Sequence, residues 1–460
     1  MTETAKHSLW SAPTLSSSVS ATVNLPGSKS LTNRAFILAA LSEKPTEVHG
    51  CLEARDTMLM RQGLTVFGAR FEQLSTSPTS LSAFTGNSSW QITPIPKSSE
   101  NFENPAEIDC GLSGNVMRFL TALAPIFKAK TYFYGDQGAA KRPQLPLLDA
   151  LSKYGICIDL PPTPDSLPFT IGTFPHQEEP HSFQQSESKT LSVDSSQSSQ
   201  FLSALLLAAS RWPEPVTIRA LGKLPSLPHI QMTLENLKEC GASFQERENE
   251  NAWSFEPCPL QLTETTIEPD LSNAGPFLAA AMIKGGQITI PNWPSKTTQA
   301  GDYWRELLTK LGASYELSDA GLTLTGPNDF LTNRTEHHFD LGDYGELAPT
   351  LAALLALRPT GGTITNIGHL RGHETDRLAA LETEIKRLGG KVSTTENSLI
   401  ITSPVTHGAK VQTYHDHRMA TFGAIIGLAI PGIEIENVET TNKTLPNFVD
   451  LWQKVARQED

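Results

Sequence analysis

Gly27 to Gly50 reads GSKSLTNRAFILAALSEKPTEVHG. It opens on a glycine turn with a lysine and two hydroxyls. It continues as a helix of Ala, Leu and other apolar residues, and it ends in a short alternating strand. The same pattern recurs. Ser113 to Tyr134 reads SGNVMRFLTALAPIFKAKTYFY, and Ser195 to Arg219 holds SSQFLSALLLAAS followed by VTIR. Asp270 to Pro291 holds LSNAGPFLAAAMIKGGQITI, Tyr344 to Asn366 holds ELAPTLAALLALRPTGGTITN, and His415 to Asn437 holds DHRMATFGAIIGLAIPGIEIEN. The starts, at 27, 113, 195, 270, 344 and 415, fall 71 to 86 residues apart. A repeat with this period is one supersecondary unit used several times.

Most copies continue into a second helix that ends on glycine before another strand. Met232 to Phe244 (MTLENLKECGASF), Tyr303 to Tyr315 (YWRELLTKLGASY) and Leu378 to Val392 (LAALETEIKRLGGKV) are the plainest cases. MLMRQGLTVFGARF and LLDALSKYGICI play that part in the first two copies. The glycine suits a left-handed C-cap, and the alternation after it suits a strand. The last copy is followed only by a closing helix, Asn447 to Arg457. Six units in 460 residues divide as three plus three. The boundary belongs near Glu268, after the proline-rich stretch Pro257 to Pro259. The strand Ala21 to Leu25 precedes the first unit and suits either half. Thr93 to Pro105 and His176 to Thr190 read as flexible insertions.

Composition narrows the class. The formal net charge is -13, against the basic surface expected of a general nucleic-acid binder. The five cysteines, at 51, 110, 157, 240 and 258, are odd in number and form no CxxC pair. They are expected to be reduced thiols without structural zinc. No run approaches the roughly 18 apolar residues of a membrane span. The Ser/Thr-rich start has no apolar core of the kind a secretory signal needs. A cytoplasmic enzyme is expected.

The polar residues at the helix starts carry the chemistry, because a helix N-terminus offers unpaired N–H groups and a positive dipole end to anions. In Pro26-Gly27-Ser28-Lys29-Ser30 a lysine and two hydroxyls precede a helix, with Arg34 one turn on from Ser30. This is no Walker A loop, since Ser28 stands where the glycine before the lysine is required. A plain N-cap with two surface cations fits the segment equally. Gly111-Leu112-Ser113-Gly114-Asn115, followed by Arg118, permits close backbone approach to a ligand, or a tight turn. Lys141-Arg142-Pro143 is a cation pair that can equally be a solvated surface. Ser198-Ser199-Gln200 serves as a phosphate cradle or as an ordinary cap. His373-Glu374-Thr375-Asp376-Arg377 starts a helix on Glu and Asp, as part of a functional site or as a plain charged first turn. Tyr414-His415-Asp416-His417-Arg418 has two histidines two apart. No third ligand stands at a metal-binding spacing and HExxH is absent, so no metal is expected. Lys443 lies in TNKTLP.

Together LPGSKSLTNRAFILAAL, CGLSGNVMRFL, KRPQLPLLDAL, VDSSQSSQFLSALL, RGHETDRLAALETEI and YHDHRMAT resemble one family, 3-phosphoshikimate 1-carboxyvinyltransferase or EPSP synthase. The resemblance runs over nearly the whole chain and leans towards actinobacterial-type members. It implies an α/β fold of two domains, each of three βαβαββ units. Their expected extents are 28–267 for the first domain, and 15–27 plus 268–460 for the second, with the active site in the cleft between them. It further implies transfer of the enolpyruvyl group of phosphoenolpyruvate to the 5-hydroxyl of shikimate 3-phosphate, with release of phosphate. No cofactor, nucleic acid or membrane partner is implied, and a monomer is expected. Glyphosate inhibits this family in competition with phosphoenolpyruvate, so inhibition is expected here too.

Roles carry over only where the motifs match. Lys29 resembles the lysine that touches both substrates and moves protons, and Glu374 the second proton-transfer group beside it. Ser30, Arg34, Ser198, Ser199, Gln200, Ser226 and His373 resemble the shikimate 3-phosphate set. Gly114, Arg142, Arg377, Arg418 and Lys443 resemble the phosphoenolpyruvate set, with Lys29 and Gln200 shared. Glu346 stands where the best-known bacterial pattern has the aspartate facing the 5-hydroxyl, which lengthens that carboxylate by one methylene. His373 replaces a lysine, Leu112 an asparagine and His229 a tyrosine. One rival is the related transferase acting on UDP-N-acetylglucosamine, which carries a catalytic cysteine on a loop; Asp136 to Arg142 has none. Another rival is an inactive polyanion-binding relative, which would be expected to have lost Lys29, Glu346, Glu374 or Arg377.

Overall fold

A computed structural model describes residues 8–74, 87–96, 106–127, 130–160, 166–172 and 189–457. The backbone passes from one compact domain to another and back. One domain holds Lys29 through Ile267, and the other holds the N-terminal segment up to Ser28 with Glu268 onward. Each domain has its own apolar core.

There are six sheets among the described residues, one per repeat, and five share one order. The third repeat shows the plan. Lys189–Asp194 runs parallel to Val216–Leu221, a helix joining them, and Ala252–Phe255 and Phe244–Arg247 continue the sheet as an antiparallel hairpin. The parallel step needs a crossover, which the buried helix supplies; the antiparallel step needs only a short return.

The first helix of each repeat is apolar on every side and is buried accordingly. In Lys29–Leu41 every residue from Thr32 to Leu41 is buried, and Leu271–Lys284 is buried from Leu271 to Ile283. Within each domain these first helices pack on one another, as do Leu271–Lys284, Ala348–Ala356 and His417–Ala429. The second helices end as their glycines require. Gly68, Gly155, Gly241, Gly312 and Gly389 all have φ between +77° and +111°, the left-handed region where a Cβ is penalised.

Three sheets borrow a strand from far along the chain. Glu264–Thr266 pairs in parallel with Thr46–Leu52 and completes the first repeat. Val19–Thr22 pairs in parallel with Gly286–Ile290 and completes the fourth. The early strand thus lies slightly before the expected Ala21 to Leu25, and it belongs to the fourth repeat. In the sixth repeat, where the closing helix Phe448–Arg457 ends the described chain, Leu9–Ser11 pairs antiparallel with Glu434–Glu436 in place of a return hairpin. The segments either side of the crossings are joined by Ser28 N–H to Glu268 O and by Asp270 N–H to Pro26 O, both 2.8 Å.

Three local expectations change. The second repeat does not open on a regular α-helix: Val116–Leu120 is a π turn, followed by short α and 3-10 turns. Glu374 does not begin a helix. Asp376 is the N-cap, its side chain accepting Ala379 N–H, and the helix is Arg377–Arg387. The supposed insertions are strand at their edges, in Asn87–Thr93 and Lys189–Asp194; residues 97–105 and 173–188 lie outside the described residues. Among the described residues no helix is long and apolar enough to cross a membrane.

Candidate active site

In the domain from Lys29 to Ile267 the candidate residues sit at the starts of the buried helices. Lys29 opens Lys29–Leu41, and its Nζ lies 3.4 Å from Asp56 Oδ2 in the first turn of Arg55–Val66. Asp56 is buried, so the pair fixes the direction of a lysine that is itself only partly covered. Arg34 is fully sequestered. Its Nε donates to Thr233 Oγ1 at 2.9 Å, Nη2 to His229 O at 3.1 Å and Nη1 to Ser30 O at 3.1 Å. These bonds tie the turn that carries Ser30 to the start of Leu227–Glu239, where Ser226 adopts φ +55°. Burial lowers the Arg34 pKa to about 9, which is the setting in which an incoming anion favours the charged form.

Ser198 is an N-cap, as one of its two sequence readings allows: its Oγ accepts Gln200 N–H at 3.3 Å. Ser199 is buried beside it. Gln200 Oε1 accepts Arg118 Nη1 at 2.6 Å, and Arg118 Nη2 donates to Pro143 O at 3.0 Å. Arg142 Nη1 donates to Leu112 O at 3.0 Å. These side chains converge on Gly114. A Cβ built there would stand 2.6 Å from Arg118 Nη1, 2.7 Å from Arg142 Nη2 and 2.7 Å from Gln200 Oε1. The glycine is therefore a place where two guanidinium groups and an amide meet bare backbone at a helix start, which suits a small anion.

In the domain from Glu268 onward the starts of three buried helices meet directly. Asp270 caps Leu271–Lys284, accepting Ser272 and Asn273 N–H, each at 3.1 Å. Ser272 Oγ then donates to Glu346 Oε1 at 2.7 Å, from the 3-10 turn Gly345–Leu347. Arg418 Nη2 lies 3.4 Å from Glu346 Oε2, and its Nη1 donates to Ser272 O at 3.2 Å. Both oxygens of the Glu346 carboxylate are thus held in place, one by a hydroxyl and one by a guanidinium.

Arg377 is held by two carboxylates. Its Nε and Nη2 donate to Asp416 at 2.7 and 3.2 Å, and Nη2 donates to Glu374 Oε2 at 2.9 Å. Burial would lower its proton affinity, but the charges of Asp416 and Glu374 outweigh that and raise it above the ordinary arginine value. Glu374 Oε1 accepts Lys443 Nζ at 2.8 Å. Asn273 Nδ2 donates to Thr444 O at 3.0 Å, anchoring the segment that carries Lys443. His373 Nδ1 is 3.2 Å from Arg377 Nη1. A guanidinium can only donate, so this nitrogen is the acceptor of the contact.

Thus the structure brings Glu346 with Arg418, and Glu374 with Arg377, Lys443 and His373. It brings Gly114 with Arg142 and Gln200, and Ser30 and Arg34 with the turn after Ser226. Four neighbours escaped the sequence assignment of roles. Asp56 and Asp416 are aspartates in helix first turns or caps, Ser272 is a serine in an apolar helix, and Arg118 lies mid-helix by pattern. Asp416 stands two residues before Arg418 and Arg118 four after Gly114, whereas Asp56 and Ser272 lie near no assigned residue in sequence. Among the described residues no group of three His, Cys, Asp or Glu side chains has metal-binding geometry.

Comparison with known proteins gives a consistent result. Residues 13–452 match the family model described as EPSP synthase (3-phosphoshikimate 1-carboxyvinyltransferase). A curated protein of Kocuria rhizophila named 3-phosphoshikimate 1-carboxyvinyltransferase is 43% identical, over 99% of this chain and 98% of its own. One of the same name from Bifidobacterium longum is 42% identical over 98% of both. Among solved structures, EPSP synthase from Acinetobacter baumannii superposes with a TM-score of 0.72 at 21% identity, covering 97% of this chain and 98% of its own. The enolpyruvyl transferase NikO from Streptomyces tendae gives 0.69 at 15% identity, covering 97% of each. These two share the fold, and on the full-length match of sequence the chain belongs to the EPSP synthase family.

Proposed function

We propose that this protein transfers the enolpyruvyl group of phosphoenolpyruvate to the 5-hydroxyl of shikimate 3-phosphate and releases inorganic phosphate. It works as a cytoplasmic monomer without a cofactor, residues of both domains serving one reaction. The observation that carries the chemistry is the pair Glu346 and Glu374, each bound to a cation at the start of a helix.

Glu346 accepts the proton of the 5-hydroxyl as that oxygen attacks C2 of phosphoenolpyruvate. Lys29 and Glu374 serve the carbon end: one proton is delivered to the methylene, giving a methyl group and a tetrahedral ketal. A methyl proton then returns to the protein as the C–O bond to phosphate breaks, leaving the enol ether and phosphate. Ser30, Arg34, Ser198, Ser199, Gln200, Ser226 and His373 surround shikimate 3-phosphate. Gly114, Arg142, Arg377, Arg418 and Lys443 surround phosphoenolpyruvate, where planar guanidinium forks match carboxylate and phosphate. Glyphosate, carrying a carboxylate and a phosphonate, competes for that second set.

The test is phosphate release from shikimate 3-phosphate plus phosphoenolpyruvate, with UDP-N-acetylglucosamine as the alternative acceptor. Release with the first acceptor only is expected. Lys29→Met is expected to lower kcat by on the order of 10²-fold or more, as for loss of a charge used in the transition state. Release with UDP-N-acetylglucosamine alone, or with neither acceptor, overturns the reading.

A further inference from the structure

The turn before His417–Ala429 is built against its own backbone preference. Tyr414 and His415 have φ of +54° and +58°, two consecutive residues with a Cβ in the left-handed region. Such residues rarely adopt this region even singly. The next residue, Asp416, is wholly buried and does two jobs: its carboxylate caps the helix by accepting Arg418 N–H at 2.8 Å, and it clamps the Arg377 guanidinium. Any relaxation of the turn moves Asp416, and with it both arginines.

What holds the turn is visible. Tyr414 Oη donates to Glu384 Oε1 at 2.6 Å. Glu384 is 0% exposed on the helix Arg377–Arg387, and its other oxygen receives Arg387 Nε at 3.0 Å. That helix begins with Arg377 itself, so it is stapled to the turn at both ends: Arg377 to Asp416, and two turns on, Glu384 to Tyr414. On the other side His415 Nδ1 is 3.4 Å from Asn437 Nδ2. Asn437 is also left-handed, with φ +58°, and it starts the turn Val438–Lys443 that ends on Lys443.

We propose that Glu384 and Tyr414 are positioning residues for the phosphoenolpyruvate site, locking a strained turn so that Asp416 aims Arg377 and Arg418. The proposal rests on the functional reading above and extends it to residues that touch no substrate. A buried carboxylate is costly unless it is paired and hydrogen-bonded, and here its partners fix the turn. The burial of the Tyr414 hydroxyl beside that carboxylate raises its pKa to about 12, so the phenol remains a donor throughout the physiological range.

Three variants of the full chain test it by steady-state kinetics and thermal melting. Tyr414→Phe removes only the hydroxyl. It is expected to raise KM for phosphoenolpyruvate about tenfold, leaving kcat and KM for shikimate 3-phosphate within about twofold. Glu384→Gln keeps an oxygen acceptor for the phenol and is expected to shift the same KM less. His415→Gly relieves the left-handed strain, so Tm is expected to hold or rise while KM for phosphoenolpyruvate rises. A purely structural role predicts lowered Tm with KM unchanged. Wild-type KM for phosphoenolpyruvate in both Tyr414→Phe and His415→Gly overturns the proposal. A wild-type enzyme whose phosphate release does not depend on phosphoenolpyruvate overturns the functional reading, and this proposal with it.

Discussion

Gly114 shows how much one absent methyl group decides. Three polar side-chain atoms lie within 2.7 Å of where its Cβ would be, nearer than real Cβ atoms approach. Gly114→Ala must push aside the ends of Arg118, Arg142 and Gln200. We expect KM for phosphoenolpyruvate to rise about tenfold, about 1.4 kcal/mol, and the inhibition constant for glyphosate to rise by more, since glyphosate is the slightly longer ligand. Competitive titrations on both proteins check this; equal sensitivity of the two would misplace this wall. Cations at helix starts, such as Lys29, Arg377 and Arg418, stand out in a sequence. The groups that aim them do not. Asp416 looks like any capping aspartate and Ser272 like any small helix residue, and only the fold shows that they face Arg377 and Glu346. The Arg118 contact with Gln200 crosses 82 positions, which no spacing rule reveals.

At the scale of elements the repeat was legible because its punctuation is physical. Helices buried on all sides must be apolar throughout, and a helix that stops before a strand needs a left-handed residue. Gly241 isolates the second effect: its φ is +77° and a Cβ there would meet nothing within 4 Å. Gly241→Ala is expected to cost about 1–2 kcal/mol through backbone strain alone, with kcat unchanged, measured by denaturant unfolding beside activity. An unaltered midpoint would show that the turn relaxes freely. Less legible were elements whose form depends on partners. The π turn Val116–Leu120 follows no composition rule, and the strand Val19–Thr22 has a pattern that fits either domain until Gly286–Ile290 is seen beside it. In the same way Glu374 precedes its helix because Asp376 takes the cap, a choice between two acidic neighbours that sequence alone leaves undecided.

Across the whole molecule, one contiguous domain is inserted into the sequence of another. Residues 29–267 carry their own core, and their first sheet is closed by their own last strand, Glu264–Thr266. Expressed alone, this segment is expected to unfold as one cooperative transition in urea. Residues 268–460 alone lack Val19–Thr22 and Leu9–Ser11, leaving two sheets short of a strand, and are expected to aggregate unless residues 1–28 are supplied. A soluble, cooperatively folding 268–460 fragment would show those strands to be dispensable. The borrowed strands also set a calendar for synthesis. Val19–Thr22 leaves the ribosome before the inserted domain, yet its partner Gly286–Ile290 is made only after that entire domain. At ~5–20 residues per second that interval is on the order of tens of seconds. For that time the nascent chain carries an unpaired strand, while the inserted domain becomes complete behind it. A strand made before the inserted domain thus finds its place only after that domain is finished.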